Sequence, residues 1–561
     1  MSGVMLMLVG GKGGEAPANT VAPALSDSTP VYNQTISTTT GTWDSITTPS
    51  YAYQWQRSAS NIGGATSSSY TIVGADVSNT VRCVVTATNP FGGTAANSNT
   101  SSTVVGTVPG APTIGTATAG VGQATVAFTP PASLGYPTSP ITYTATSTPG
   151  SLTATGASSP LAVTGLTTGV SYTFRVTATN PTGTGSLSAA SNAVEPLANY
   201  KLYMTGLNND GVLGQSNTVY TSSPVQVATD IWSNGGINPV NRVALVTKTN
   251  GELWTWGAGN WGLQARNNTY ISVSSPVQSG ALTTWSNVWV GGASTTMAVK
   301  NNGTLWVWGR NTLWGLFGNS TTSATYAAAS SPIQIGALTW KLANANAAHA
   351  MAIKTDGTLW AWGSNSQGRL GINQAQTAYK SSPVQVGGLN SWRDAHALND
   401  STVAIRTNNT VWAWGNLSQG EGGNDNLTPR SSPVQVGALT TWSKISGGKS
   451  YVMAIKTDGT LWGWGRQSEH GNIGDGTIIS RSSPVQIGAL TNWATIATNE
   501  GSEVTAGIDT SGRMWTWGRN EFGALGINNY ISKSSPVQVG SLTTWGDVST
   551  SIYNIAFFEE A

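Results

Sequence analysis

A pentapeptide, Ser-Ser-Pro-Val/Ile-Gln, recurs seven times in this chain, with its proline at Pro224, Pro276, Pro332, Pro383, Pro433, Pro484 and Pro536, 50 to 56 residues apart. A period of that length makes each repeat one supersecondary unit that buries its apolar face against its neighbours. A second string, Leu/Val/Met-Trp-x-Trp-Gly, recurs six times between them, at Trp254/Trp256, Trp306/Trp308, Trp360/Trp362, Trp412/Trp414, Trp462/Trp464 and Trp515/Trp517. Leu202 to Gly206 is a weaker seventh copy.

Each unit reads as strands. In residues 350–363 an apolar strand ending at Lys354 meets Asp356-Gly357 and then a second strand, Thr358 to Trp362. Asp-Gly between two such strands predicts a type I′ hairpin, with φ > 0 at both central positions. Asn250-Gly251, Asn302-Gly303, Asp458-Gly459, Ser511-Gly512 and the weaker Asn408-Asn409 repeat the signal. Leu359 and Ala361 point one way and Trp360 and Trp362 the other, so the second strand is apolar on both faces and is expected between two neighbouring sheets. A buried Trp removes about 150–250 Å² from water, roughly 4 to 6 kcal/mol as an upper bound, so the Trp pairs are expected to pack blade on blade. Residues 554–558 match the first strand of a unit and residues 202–206 the second. Joining them completes a seventh blade and removes the exposed edges of an open array.

Composition separates the rest. At roughly 100 to 200 residues per domain, 561 residues predict three or four domains. Only Trp43 and Trp55 of the 24 tryptophans lie in the first 200 residues, a stretch with nine charged side chains and much Thr, Ser, Ala, Gly and Val. Over the whole chain 9% of residues are charged and the net charge is +2, against about 25% charged in an ordinary domain. Such a surface has no field to draw nucleic acid or an anionic membrane. One cysteine, Cys83, excludes an internal disulfide framework and a Cys-based structural zinc site. The apolar start, Val4 to Val9, has no basic flank and runs into Gly10-Gly11-Lys12-Gly13-Gly14, so no signal peptide is expected. No apolar run reaches the roughly 18 residues needed to span a bilayer.

The unit MAIKTDGTLWAWGSNSQGRLGINQ…SSPVQVGGLNSW resembles the regulator-of-chromosome-condensation repeat, whose family forms seven-bladed β-propellers. The resemblance covers about 360 residues. Residues 17–106, with Tyr53 to Arg57, Tyr70 to Ile72 and Val81 to Ala87, resemble bacterial and phage immunoglobulin-like modules, with Trp55 in the core and Cys83 lacking the family's disulfide partner. Cys83 then reads as a small buried hydrophobe. Residues 107–197 resemble a fibronectin type III module, in which Phe128 stands where that family usually has Trp. The expected fold is therefore all-β: an arm at 1–16, an immunoglobulin-like sandwich at 17–106, a fibronectin-like sandwich at 107–197, and a seven-bladed propeller at 198–561 closed by both ends of the repeat region.

Signals for chemistry are weak. Gly257 to Gly262 matches a dinucleotide fingerprint literally but lacks the helix that holds a pyrophosphate. Gly447-Gly448-Lys449-Ser450 has the tail of a phosphate loop, with Ser443 where its first glycine belongs. His349, His396 and His470 show no metal spacing. His349 aligns with Thr295, Ser401, Tyr451 and Tyr553 of other units and reads as a core or hydrogen-bonding residue. Asp475 and the run Asn424-Asp425-Asn426 offer oxygen ligands for a surface cation, but the Asp-Gly pairs already have a turn explanation. Glu421, Asp425, Glu469 and Asp475 give no reason to pair as catalytic carboxylates. Neither an enzyme nor a bound cofactor or metal is expected.

The loops before the pentapeptide vary while the frame repeats, as when a rigid scaffold presents binding residues. Tyr220, Tyr270, Tyr326, Tyr379 and Tyr530 precede their prolines by four or six residues, with Arg430 and Arg481 in the two units lacking Tyr. Sevenfold placement puts them on one rim, as packing or as a contact ring for a glycan or protein. The expectation for function is a non-enzymatic bacteriophage virion protein, of tail or capsid. Its N-terminal region would dock on other virion proteins and its propeller on a host-surface glycan or protein, with homo-oligomerisation open and neither nucleic acid nor membrane insertion involved. The alternatives are a secreted bacterial adhesin or propeller-type inhibitor at the cell surface, then a polysaccharide-acting enzyme, then an intracellular exchange factor.

Overall fold

Alternation sets the strands of the N-terminal part. Val81, Cys83, Val85 and Ala87 point into a core while the residues between them point out, the period-two signature of a half-buried strand. The computed structural model describes residues 14–168, 170–237, 243–267, 271–291, 295–321, 328–374, 379–499, 501 and 503–561, so the expected arm at 1–16 falls outside it but for its last three residues. The chain divides into two compact units, Met1–Leu197 and Ala198–Ala561.

In the first unit, strands Ser50–Arg57, Ser60–Asn61, Val81–Asn89 and Gly92–Asn97 form one sheet. Its core holds Ile36, Trp55, Ile72, Val81, Cys83 and Val85. A buried carboxylate ties its lower edge: Asp76 accepts from Arg57 Nε at 2.7 Å, from the Tyr70 hydroxyl at 2.8 Å and from the Val73 N–H at 2.8 Å. Further along, the sheet of Thr113–Gly120, Gln123–Thr129 and Leu161–Thr164 faces the sheet of Thr142–Thr148, Thr153–Gly156, Thr173–Asn180 and Gly183–Thr184. They share one apolar cluster that includes Val126, Phe128, Tyr143, Val163, Phe174 and Val176. Phe128 fills its place by tilting against Tyr143, ring centres 4.8 Å apart, and the Tyr172 hydroxyl accepts the Thr167 N–H at 3.1 Å.

The second unit repeats one four-stranded antiparallel design, shown by Trp392–Ala397, Ser401–Arg406, Val411–Gly415 and Arg430–Gln435 paired in that order. The long strand Ala328–Ala345 serves twice, pairing Thr304–Arg310 with its first part and His349–Lys354 with its second. Tyr200–Gly206 lies between Thr221–Gln226 and the last strand, Asn554–Glu560, so one sheet is assembled from both ends of the unit. Seven apolar clusters each draw from two sheets that follow one another, and one of them joins Val504, Ile508 and Met514 to Trp545, Phe557 and Tyr203.

Two local expectations are corrected. Gly357 has φ 82 but Asp356 is not left-handed, and Gly357 N–H donates to Lys354 O at 3.0 Å. The hairpin is thus a three-residue loop, a tight turn closed by a left-handed glycine, rather than type I′. Asp356 Oδ1 accepts the Thr358 N–H at 2.9 Å, which favours this form because a carboxylate readily satisfies a backbone donor two residues on. Second, the two tryptophans of each pair have different roles. Trp362 is fully buried, whereas Trp360 is half-buried under the Lys354 ammonium, 3.7 Å from its ring centre. Trp360 lies edge-on to Trp340, on the first strand of the same sheet, at 6.2 Å, and Trp362 is tilted against it at 6.4 Å.

The buried indoles also bond between sheets. Trp256, Trp308, Trp362, Trp414, Trp464 and Trp517 donate Nε1–H to the carbonyls of Val212, Leu263, Leu316, Arg369, Glu421 and Asn472 in the preceding repeat, at 2.7 to 3.0 Å. Gly371 shows why the accepting turn needs glycine: with φ 70, an added Cβ would sit 2.6 Å from Trp414 Nε1.

Candidate binding face

Antiparallel order places the first-to-second and third-to-fourth loops of every sheet at one edge. The expected rim residues lie on the third-to-fourth loops. Tyr220, Tyr379 and Tyr530 are 50%, 51% and 50% exposed, and Tyr220 meets Tyr530 edge-on at 6.1 Å. That contact joins the first and last loops of the unit. Arg430 and Arg481 are half-buried at the starts of their strands, and Arg481 pairs with Asp475 at 2.6 Å. Arg481 is therefore committed within its own loop. Tyr270 and Tyr326 lie outside the described residues.

Aliphatic neighbours that sequence reasoning passed over extend this rim. Val219, Ile271, Leu427, Ile478, Ile479 and Ile531 stand exposed in the same loop, five or six residues before the repeated proline. Each is next to, or within a few residues of, a residue already singled out, so the pairing of two large apolar side chains in a polar loop was the signal available.

A second feature had no signal in the sequence. The first strands of successive sheets converge on a cavity of about 640 Å³ lined by, among others, Trp289, Lys341, Arg393, Asp394, His396 and Lys444. Arg393 bridges to the next sheet through Ser443 O at 2.6 Å and to Asn409 Oδ1 at 3.1 Å. Asp394 lies 3.4 Å from His396 Nε2. Burial pushes the Asp394 carboxyl up, but His396, the Ala395 N–H and Arg393 outweigh it and hold it below the usual range. Burial lowers the Lys444 ammonium and raises the Asp547 carboxyl, the two partly offsetting each other by mutual attraction. Arg393 is held by Ser443 O and Asn409, and Asp394 by His396 and the Ala395 N–H, which suits a fixed wall better than a reactive centre.

Among the described residues, no three His, Cys, Asp or Glu side chains are grouped to hold a metal ion. Asp425 is occupied by Ser482 and Asp475 by Gln467, Thr477 and Arg481. Glu469 is 85% exposed, and Glu421 is buried beside the Gln419 N–H. His349 is fully buried with Nε2 2.8 Å from Thr402 Oγ1, and burial keeps its ring well below the ordinary imidazole range. Strand register matches it to Asn554, not Tyr553, since His349 faces Gly363 and Asn554 faces Gly206. Gly257 to Gly262 ends in a short 3-10 turn, Asn260–Gly262.

Comparison with known proteins identifies the repeats. The model of the regulator of chromosome condensation (RCC1) repeat matches residues 356–405 and 511–551, and a second model of that description matches 342–369. The ultraviolet-B receptor UVR8 of Arabidopsis thaliana is 25% identical over 297 residues, 51% of this chain and 65% of that protein. The mitochondrial RCC1 domain-containing protein RUG3 of the same plant is 25% identical over 208 residues, 35% of this chain and 46% of that protein. The chain thus spans less than two thirds of either relative. Human WBSCR16 superposes with TM-score 0.56 at 16% identity, over 64% of this chain and 99% of that one. Prp20p of Saccharomyces cerevisiae gives 0.55 at 13%, over 64% and 92%.

Proposed function

We propose that this chain, which carries RCC1-like β-propeller repeats, is a non-enzymatic binding protein whose propeller is a protein-recognition head. The observation that carries this reading is the rim: large apolar side chains, among them Tyr220, Ile271, Tyr379, Ile479 and Tyr530, stand exposed four to six residues before the repeated proline in five of the repeats. Exposed apolar patches on a soluble scaffold mark interaction surfaces, and Tyr is enriched where such surfaces bind. Prp20p, a solved structure of like fold, is described by its binding to Gsp1p and histones.

The architecture we assign is a closed ring of seven blades. It is supported by the sheet built from both ends of the unit and by the seven clusters that link successive sheets. We assign the N-terminal modules as immunoglobulin-like and fibronectin-like spacers. Trp55 in the core, stacked on the Tyr70 ring whose hydroxyl donates to Asp76, supports the first, and the Tyr172 hydroxyl bonded back to Thr167 supports the second. The setting we propose is the surface of a bacteriophage virion, with a secreted adhesin or inhibitor as the alternative. The order of spacer modules before a head of low charge supports display outside a cell.

The test replaces Tyr379 and Tyr530 together with Ala. Loss of about 2 kcal/mol, roughly thirtyfold in affinity for the partner protein, is expected, with the thermal midpoint unchanged. Unchanged binding refutes the rim. Detection of the chain in purified particles tests the virion setting, and its recovery only from culture medium refutes it.

A further inference from the structure

The cavity between the first strands has an excess of positive charge. Its lining holds three cations, Lys341, Arg393 and Lys444, against one carboxylate, Asp394, in a chain whose net charge is only +2. Arg393 and Asp394 are fixed in the wall by their hydrogen bonds, but Lys341 and Lys444 stand open to the cavity. Among the described residues neither ammonium has a carboxylate or other acceptor within bonding distance. Asp547 attracts Lys444 from the neighbouring cavity without forming an ion pair. Burial still lowers the Lys444 ammonium, as expected of a charge that has lost water and gained no counter-ion.

The fold does not require these two lysines. Lys341 sits at the register shift after Trp340, where other sheets hold Ser286, Arg393, Ser443, Ala494 or Gly546. Lys444 faces Ile455 at the position that is Asn287, Leu342, Asp394, Thr495 or Asp547 elsewhere. Small neutral side chains serve at both positions, so packing does not explain two unpaired ammonium groups on one cavity, which cost stability. Much of the remaining lining is apolar. Trp289 packs against the cluster of Met297 and Trp340 while also lining the cavity, together with Leu342, Ile445 and Ile496.

We propose that this cavity binds an amphiphilic organic anion, a carboxylate, sulfonate or phosphate head on an apolar body, with the head on Lys341 and Lys444 and the body against Trp289 and Leu342. The sign of the head follows from the two ammonium groups that lack a counter-ion. The apolar body follows from the rest of the lining, and from a volume of about 640 Å³, which an inorganic anion leaves mostly empty and which suits a small organic molecule. Lys341 and Lys444 follow Trp340 and Trp442 by one and two residues, where the first strands begin. Antiparallel order puts that end at the edge opposite the third-to-fourth loops, so the site is separate from the protein-binding rim and does not rest on it.

Isothermal titration calorimetry of the full chain tests this with naphthoate, naphthalenesulfonate and naphthyl phosphate, against neutral naphthamide and inorganic phosphate. At least one of the three acids is expected to bind with Kd below about 100 μM, and at least about tenfold more tightly than either control. Lys341→Ser with Lys444→Thr should weaken that acid to the level of the amide with the thermal midpoint unchanged, because Ser286 and Thr495 hold the equivalent positions. Lys341→Gln with Lys444→Gln, which nearly keeps side-chain length, should give the same loss. Tyr379→Ala with Tyr530→Ala should retain the binding. Failure of all three acids to bind overturns the inference, as does unchanged acid binding in both lysine variants. Amide binding as tight as acid binding leaves only an apolar cleft, phosphate binding as tight removes the apolar body, and loss in the tyrosine variant moves the acid to the rim; each of these also overturns it.

Discussion

Replacing Glu421 with Gln should make the propeller unit more stable at pH 8 and leave it unchanged at pH 4. The Glu421 side chain is 3% exposed, and its Oε2 accepts the Gln419 N–H at 3.0 Å. Burial pushes the carboxyl up from 4.5 to about 7; hydrogen bonds from backbone N–H groups and Ser450 oppose the rise and the charge of Asp400 adds to it. Unfolded, the group titrates near its ordinary value. Below that value both states are protonated and its contribution to stability is fully present. As pH rises toward 7 the unfolded chain ionises first, so stability falls, and above 7 the loss is complete. A rise from 4.5 to about 7 corresponds to about 3 kcal/mol at most. Gln keeps an acceptor for the Gln419 N–H and cannot ionise. The variant should therefore exceed the parent by up to about 3 kcal/mol at pH 8 and match it within about 0.5 kcal/mol at pH 4. Urea unfolding of the full chain followed by tryptophan emission measures this, because 22 of the 24 tryptophans lie beyond residue 200. Parallel pH dependence in parent and variant, or a less stable variant at pH 8, would refute the reasoning.

Two further outcomes follow from burial. Trp362→Phe removes the donor to Leu316 O and part of a fully buried ring, so about 2–4 kcal/mol should be lost, whereas Trp360→Phe, on the half-buried indole, should cost about 1 kcal/mol; equal losses in urea unfolding would contradict the two roles. Cys83 is fully buried, and burial pushes its thiol up to about 11, so a thiol reagent at pH 8 should modify it only after denaturation, and rapid labelling of the native chain would contradict this.

Much of the frame was legible because it is periodic. The repeat places the strands, Asp-Gly and Asn-Gly mark the hairpins, and complementary half-units at residues 202–206 and 554–558 point to strands that do pair, Leu202 facing Phe558. Turn type escaped sequence reasoning, because a left-handed glycine suits a type I′ turn and a three-residue loop equally well, and the hydrogen bond from Gly357 to Lys354 decides between them. The split between Trp360 and Trp362 escaped it too. Alternation shows that both lie on one face, but only a neighbouring sheet covers one and leaves the other to Lys354.

For the binding face the division is similar. Local sequence marked Tyr220, Tyr379 and Tyr530 as loop residues at a repeated position, and alternation marked which strand faces are apolar. Neither property carries information about residues one repeat away. Arg393 and Lys444, about 50 residues apart, line one cavity because first strands of successive sheets are packed side by side, and Asp547 shares a second cavity with Lys444 from a first strand two sheets further on; Trp261 meets Arg310 across two successive sheets. Sequence by itself determined the repeating strands and their apolar faces, which depend on neighbours a few residues away. Tertiary packing alone decided which side chains from different repeats converge, because side chains this distant in the chain come together only once each sheet is covered by the next.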